Sequence, residues 1–186
     1  MKNESSTGFS QHGNDNREPN FASGGVLMKL TRQEKYILDG RQGEAQRICL
    51  SVLAQLGELY DAEKFIEISM VHDDSVFHVG DAPIEFAEHI AQLGGKVTVP
   101  TSLNACIIDH ERHQEYRVSK ESLEKNKRLE KAHLSIGATP TWTCAPYQSG
   151  LIPRFGEHIA WAESNATAFA NSVIGARTNR IAGLTS

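Results

Sequence analysis

Three cysteines, Cys49, Cys106 and Cys144, are the most reactive side chains in this 186-residue chain, and their spacing limits what they can do. No two form a CxxC pair, so they suggest neither a disulfide framework nor a compact zinc site. Cys49 falls within an apolar helical stripe and reads as a core residue. Cys106 follows Asn104-Ala105 and reads as core or loop filling. Cys144 ends an extended segment, flanked by Thr143 and Ala145-Pro146-Tyr147. A thiolate there could face a cleft and bind a metal, or the residue could be structural. One thiolate cannot hold a metal cluster by itself, because such clusters take three or four protein ligands. The pair in His110-Glu111-Arg112-His113 is spaced by three and could share a helix face; a solvated polar surface is the simpler reading, and a zinc site the minor one. No P-loop, GxGxxG, GxSxG or HExxH sequence occurs.

Polar groups gather where strands are expected to end. His72, Asp74 and Ser75 follow one such segment, and Thr101, Ser102 and Asn104 follow another. They could line a binding crevice, or serve as caps and turn formers. Residues 154–166 are dense in Glu, His, Trp and Arg yet lead into an apolar helix. Ser164 reads as its N-cap with Glu163 beside it, and a helix start can also attract a carboxylate.

The elements that must position these groups follow from periodicity. Thr31 and Glu34 form a capping box for a short helix ending near Gly40. Ala45, Ile48, Cys49, Val52, Leu53 and Leu56 make an apolar stripe on a second helix, with Gly57 as its stop. Phe65 to Val71 is predicted as a strand, followed by a polar loop from His72 to Gly80. Asp81 should cap a helix carrying Phe86, Ala87, Ile90 and Leu93, closed by Gly94-Gly95. Lys96 to Val99 is the second predicted strand. Ser119 opens a charged helix reaching Ile136, ended by Gly137. Thr139 to Cys144 is the third strand, with Pro140 placing its start at an edge or bend. Residues 146–156 are irregular, and a last helix runs from Ser164 to Ile174, stopped by Gly175. The alternation predicts an α/β fold, a three-layer, mostly parallel sheet with flanking helices and ligand groups at the strand ends.

Residues 1–27 form a polar leader, rich in Asn, Ser, Gly and Gln, which buries too little to offset its ordering entropy. The domain proper is 28–186. Hydrophobic residues at 39% and charged residues at 23% suit a folded chain, and a net charge of −4 gives no reason to expect nucleic acid or an anionic membrane as partner. No apolar run approaches the roughly 20 residues that cross a bilayer, and no signal-peptide core precedes the domain, so the cytoplasm is the expected compartment.

The segment from Thr139 to Arg180, TPTWTCAPYQSGLIPRFGEHIAWAESNATAFANSVIGARTNR, closely resembles the aconitase X family, as do LTRQEKYILDGRQGEA, HDDSVFHVGDAPIEF and KVTVPTSLNA further upstream. The resemblance runs from about Met28 to Arg180. It implies a hydro-lyase that dehydrates cis-3-hydroxy-L-proline, or alternatively mevalonate 5-phosphate. It further implies an iron–sulfur cluster, 2Fe-2S or 4Fe-4S, held by three cysteines of which Cys144 matches the first. The family's substrate contacts fall on Ser75, Val76, Asn104, Ala105, Glu163 and Ser164, and no base is assigned. Asp74-Ser75-Val76 departs from the Asp-Gly-Cys usual in bacterial members, placing an extra side chain near the substrate. The family continues well past Arg180 with its remaining cysteines, a lysine and a small swivelling domain or subunit, none of which Ile181 to Ser186 resembles. The chain is therefore expected to be the front part of a large subunit, inactive alone. A non-catalytic domain that binds a small acid is the competing expectation.

Overall fold

The computed structural model describes residues 28–74, 80–104, 108, 109 and 111–178, leaving the side chain of Ser164 undescribed. Ser75 to Val79, Ala105 to Ile107, His110, the leader and residues 179–186 lie outside the described residues.

Two helices come first, α1 (Arg32–Leu38) and α2 (Glu44–Leu59). Thr31 caps α1 as predicted, its hydroxyl accepting from the Glu34 N–H while the Glu34 carboxylate accepts from the Thr31 N–H. Helix α2 runs through Gly57 instead of stopping there. Of its apolar stripe only Ala45 is buried, and Val52 and Leu53 stay exposed. Ile48, Cys49 and Leu56 of the stripe are half-buried, so it is covered only in part.

The sheet follows as β1 (Val71–Asp73), β2 (Thr101–Leu103), β3 (Thr139–Pro140), β4 (His158–Trp161) and β5 (Arg177–Thr178). Its order is β3-β2-β1-β4-β5 and every pairing is parallel. Crossovers α3 (Ala82–Gln92) and α4 (Lys120–Ile136) join the first three strands, and α5 (Ser164–Phe169) leads through a π-helical turn (Ala170–Ile174) to β5.

The first two strands are displaced from their predicted positions toward the C-terminus. Phe65 to Ile68 lies outside the ladder, with Ile66 more than half exposed, while the Ser69 N–H donates to the His158 carbonyl and the Met70 carbonyl accepts from the Ala160 N–H just before β1 begins. Lys96 to Val99 likewise precedes β2, with Val97 bonded to the end of α4 rather than to a strand. The ladder forms instead through Val71-His72-Asp73 and Thr101-Ser102-Leu103, paired residue for residue. Apart from Val71, these are the residues whose polar letters read as loop. Strand β3 is cut to two residues because Trp142 adopts a left-handed φ of 49° and turns the chain away. It pairs with β2 alone, which gives Pro140 the edge position its missing N–H requires. Strands β4 and β5 were not predicted. His-Ile-Ala-Trp alternates half-buried and buried residues, the pattern of a strand packed on one face.

Alternation sends Met70, His72, Ser102, Ile159 and Trp161 to one face of the sheet, and Val71, Asp73, Thr101, Leu103 and Ala160 to the other. On the first face Ile159 and Trp161 pack with Ala166, Ala170 and Ala176. On the second, Ile84 and Ala87 of α3 meet Leu129 and Ala132 of α4. Phe86 and Leu93, predicted to face inward, are 49% and 37% exposed, and Ile84 takes the buried place. Asp81 sits at the N-cap of α3 without capping it; its carboxylate pairs instead with Lys125 of α4 at 2.9 Å. Ser119 and Gly137 bound α4 as predicted, Gly137 with a left-handed φ of 103°. Helices lie on both faces, so the layered α/β architecture stands. No helix among the described residues is long and apolar enough to cross a membrane.

Candidate functional site

The chain winds outward from β1 to β2 and β3, then returns to place β4 on the other side of β1. Such a reversal leaves a crevice beyond the carboxyl ends of the two diverging strands, the habitual ligand site of open α/β sheets. Asp73 and Asp74 follow β1 there, Asn104 follows β2, Cys144 lies past β3, and Glu163 follows β4.

Three of these meet through one amide. Asn104 Nδ2 donates to Glu163 Oε1 at 2.7 Å and to Cys144 Sγ at 3.3 Å. Asn104 is buried, Glu163 half-buried and Cys144 exposed, so the thiol looks out from a fixed polar base. The Cys144 thiol is pushed above its ordinary range, first by its hydrogen bond to the Glu163 carboxylate and then by partial burial; the Asn104 amide pulls the other way. At neutral pH this sulfur therefore keeps its proton until something competes with Glu163 for it.

Beneath the cluster lies a buried polar pair. His72 Nδ1 is 2.7 Å from Ser102 Oγ, which also lies 3.3 Å from the Val71 carbonyl. Burial lowers the His72 pKa; opposing it, the Glu163 and Asp73 carboxylates and the Thr143 backbone carbonyl favour the proton. The ring meets Trp161 edge-on at 6.1 Å, Trp161 stacks with Tyr147, and Tyr147 stacks on Phe169 at 4.2 Å. On the opposite face a cavity of about 620 Å³ opens between the sheet and the α3–α4 pair. Val71, Ala160, Ala162, Leu129, Asp73 and His133 are on its wall, and His133 Nε2 lies 3.2 Å from Asp73 Oδ2.

Asn104, Cys144 and Glu163 are thus brought together. Ser75, Val76 and Ala105 lie outside the described residues, and Ser164 is placed only as the first residue of α5. Glu163 stands at the N-cap position of that helix and makes no side-chain cap bond. Cys49 lies in α2 with its pKa raised by burial, away from this site, as a core residue would; Cys106 is outside the described residues. Sequence reasoning placed His72 and Ser102 after their strands, whereas both are inside them. It missed the Asp73–His133 pair, because His133 reads as one more polar residue on a charged helix. Cys144 suits a metal ligand, an exposed sulfur with an amide donor beside it. Among the described residues, no group of three His, Cys, Asp or Glu could hold a metal ion.

Residues 27–186 match the family model described as the aconitase X first domain. The chain is 42% identical over 154 residues to a cis-3-hydroxy-L-proline dehydratase of Pseudomonas aeruginosa, covering 83% of this chain and 27% of that protein. It is 41% identical over 158 residues to the phosphomevalonate dehydratase large subunit of Methanocaldococcus jannaschii, covering 84% and 39%. The crystal structure of aconitase X from Thermococcus kodakaraensis, in its holo-form, superposes with a TM-score of 0.72 at 39% identity over 82% of this chain and 38% of that one. The chain therefore spans between about a quarter and two-fifths of the relatives it matches.

Proposed function

The chain belongs to the aconitase X family, and from that premise we propose that its strand-end crevice is one wall of a hydro-lyase site for a small hydroxy acid, cis-3-hydroxy-L-proline first. One observation carries this reading: a single amide, on Asn104, ties Cys144 to Glu163 where the sheet changes winding direction.

Cys144 supplies one ligand to an iron–sulfur cluster, 2Fe-2S or 4Fe-4S, whose other ligands come from outside the described residues. When bound, such a cluster supplies a Lewis acid for the departing hydroxyl. The chain's own groups prepare that step. The Cys144 thiol must lose its proton before it can ligate, and the Glu163 carboxylate, which accepts a hydrogen bond from the thiol, is the acceptor at hand. The Asn104 amide, with its two N–H groups on Glu163 and Cys144, holds these side chains together at the crevice. Asn104 and Glu163, with Ser75, Val76, Ala105 and Ser164, contact the substrate. A small swivelling domain or subunit completes the site in the whole enzyme.

Mevalonate 5-phosphate is the second candidate, because the identities to relatives of the two kinds, 42% and 41%, are nearly equal. Alkylation of Cys144 by iodoacetamide, followed by peptide mass spectrometry, separates the two. We expect cis-3-hydroxy-L-proline to slow the reaction at lower concentration than mevalonate 5-phosphate. The reverse order would move the assignment to the phosphorylated acid, and no protection by either would overturn the site. Stoichiometric iron and sulfide on this chain alone, with turnover, would overturn the need for outside ligands.

A further inference from the structure

We propose that His133 is a positioning residue for Asn104, acting through Asp73 to fix the strand end from which the Asn104 amide reaches Cys144 and Glu163. The proposal rests on the reading that this amide organises one wall of the hydro-lyase site, and it concerns a residue of α4 outside that cluster.

Each link from His133 to Asn104 is a direct contact. His133 stands in the last turn of α4, and its Nδ1 lies 2.8 Å from the Leu129 carbonyl one turn back. That contact fixes the rotation of the ring and leaves Nε2 facing the sheet, 3.2 Å from Asp73 Oδ2. Carbonyl and carboxylate are both acceptors, so the ring serves the two together as the imidazolium. A cation in the last turn also suits the negative end of the helix. Asp73 is held by its main chain as well, its carbonyl accepting from the Asn104 N–H at 2.9 Å. From that same residue the side-chain amide donates to Glu163 at 2.7 Å and to Cys144 at 3.3 Å.

The sheet gives Asp73 less support than its neighbours. Val71 and His72 pair with β2 on one side and β4 on the other, whereas Asp73, among the described residues, pairs with Leu103 of β2 alone. Glu163 follows a strand tied to His72, whose carbonyl accepts from the Ala162 N–H, while Asn104 is tied to Asp73. The span between Asn104 and Glu163 therefore depends on how Asp73 sits relative to His72, and the contact with α4 sets that. This pair is also shielded. The His133 and Asp73 side chains are 12% and 22% exposed, against 47% and 69% for Lys127 and Glu124 on the same helix. Exposed pairs of the second kind contribute little, whereas a pair withdrawn from water is screened less.

The test follows solvent exchange of the Asn104 backbone and side-chain N–H groups in the 186-residue chain. Nitrogen-edited NMR at about pH 6 suits it, since an ordinary imidazole is mostly charged there. In His133→Leu these protons should exchange roughly three- to ten-fold faster, as follows from losing one net hydrogen bond. The Ala160 N–H, bonded to the Met70 carbonyl on the other side of the central strand, should keep its rate. His133→Gln puts an amide nitrogen where Nε2 stands and should stay within about two-fold of the parent. His133→Asn reaches only the Nδ1 position and should behave like the leucine variant. Asp73→Ala should reproduce the leucine effect, with no further rise when the two are combined, and it carries the test if His133→Leu does not fold. Unchanged exchange at Asn104 would overturn the proposal. So would an equal rise at Ala160, additive effects of the two substitutions, or glutamine doing no better than asparagine. The readout needs neither iron nor acid. If neither hydroxy acid protects Cys144 while the Asn104 response holds, the functional reading falls and the positioning role stands.

Discussion

The sheet face that meets α5 is filled by rings, whereas the face that meets α3 and α4 leaves a cavity of about 620 Å³. Trp161, Tyr147, Phe169 and His72 occupy the first, and the side chains of β4 on the second include the small Ala160. The difference tracks the chemistry. Cys144 leans through its turn on the filled face, where packing at near-crystalline density leaves the backbone no alternative position. The open face holds α4 to β1 through the Asp73–His133 pair and leaves space beside it. Stiffness is concentrated under the thiol rather than spread evenly through the domain.

The largest effect that could break this contrast is a core truncation on each face. Trp161→Ala should cost about 3–5 kcal/mol in urea unfolding, because it empties a fully buried site packed with Ile159, Ala166, Ala170 and Ala176. Leu129→Ala should fall nearer 2 kcal/mol, since it already borders a cavity and removes fewer contacts. If Leu129→Ala costs as much, the two faces are not packed differently.

A smaller effect sharpens the contrast at the thiol itself. Glu163→Gln removes the main group holding the Cys144 proton, so the thiol should descend toward its ordinary range. Alkylation of Cys144 near pH 7 should then rise several-fold, as more thiolate is present. Asn104→Ala removes the opposing influence and should slow the reaction. Cys49, raised by burial alone, should respond to neither change. Equal responses at both sulfurs would mean that the coupling is not local.

The smallest expected effect is on pH. Burial holds the His72 pKa below its ordinary value of 6.5, so the unfolded chain takes up a proton that the folded chain refuses. The resulting stability is intact above about pH 6.5 and declines as pH falls below it. A fall of a few degrees in Tm from pH 7 to pH 5.5 is expected, flattened in His72→Gln and retained in Leu129→Ala. A slope that survives in His72→Gln belongs to another group.

Local signals in the sequence were read well and tertiary ones poorly. The Thr31–Glu34 box and the Ser119 and Gly137 bounds of α4 hold because each depends on residues within one turn. The positions of β1 and β2 were misread because their ladders carry His, Asp, Thr and Ser, and the apolar residues just upstream took the strand assignment. Strand β4 was hidden inside a segment whose Glu, His and Trp drew attention as chemistry. Of the site, Cys144 and Asn104 stood out by their places past strands and Glu163 by its place at a helix start, and the family resemblance added substrate contact as the role of the last two. No spacing could announce that a single amide joins them, since they lie 40 and 59 residues from it in the chain.

Strand order also governs how such a domain can assemble. Val71 in the central strand pairs on one side with Thr101 and on the other with Ala160, and the Ser69 N–H and hydroxyl, just ahead of β1, both donate to the His158 carbonyl of β4, 89 residues away. Closing so distant a parallel pair must wait for most of the chain, whereas α3 and α4 can meet early. Folding of this domain should therefore be slow for its size, with the β1–β4 pair among the last parts to close.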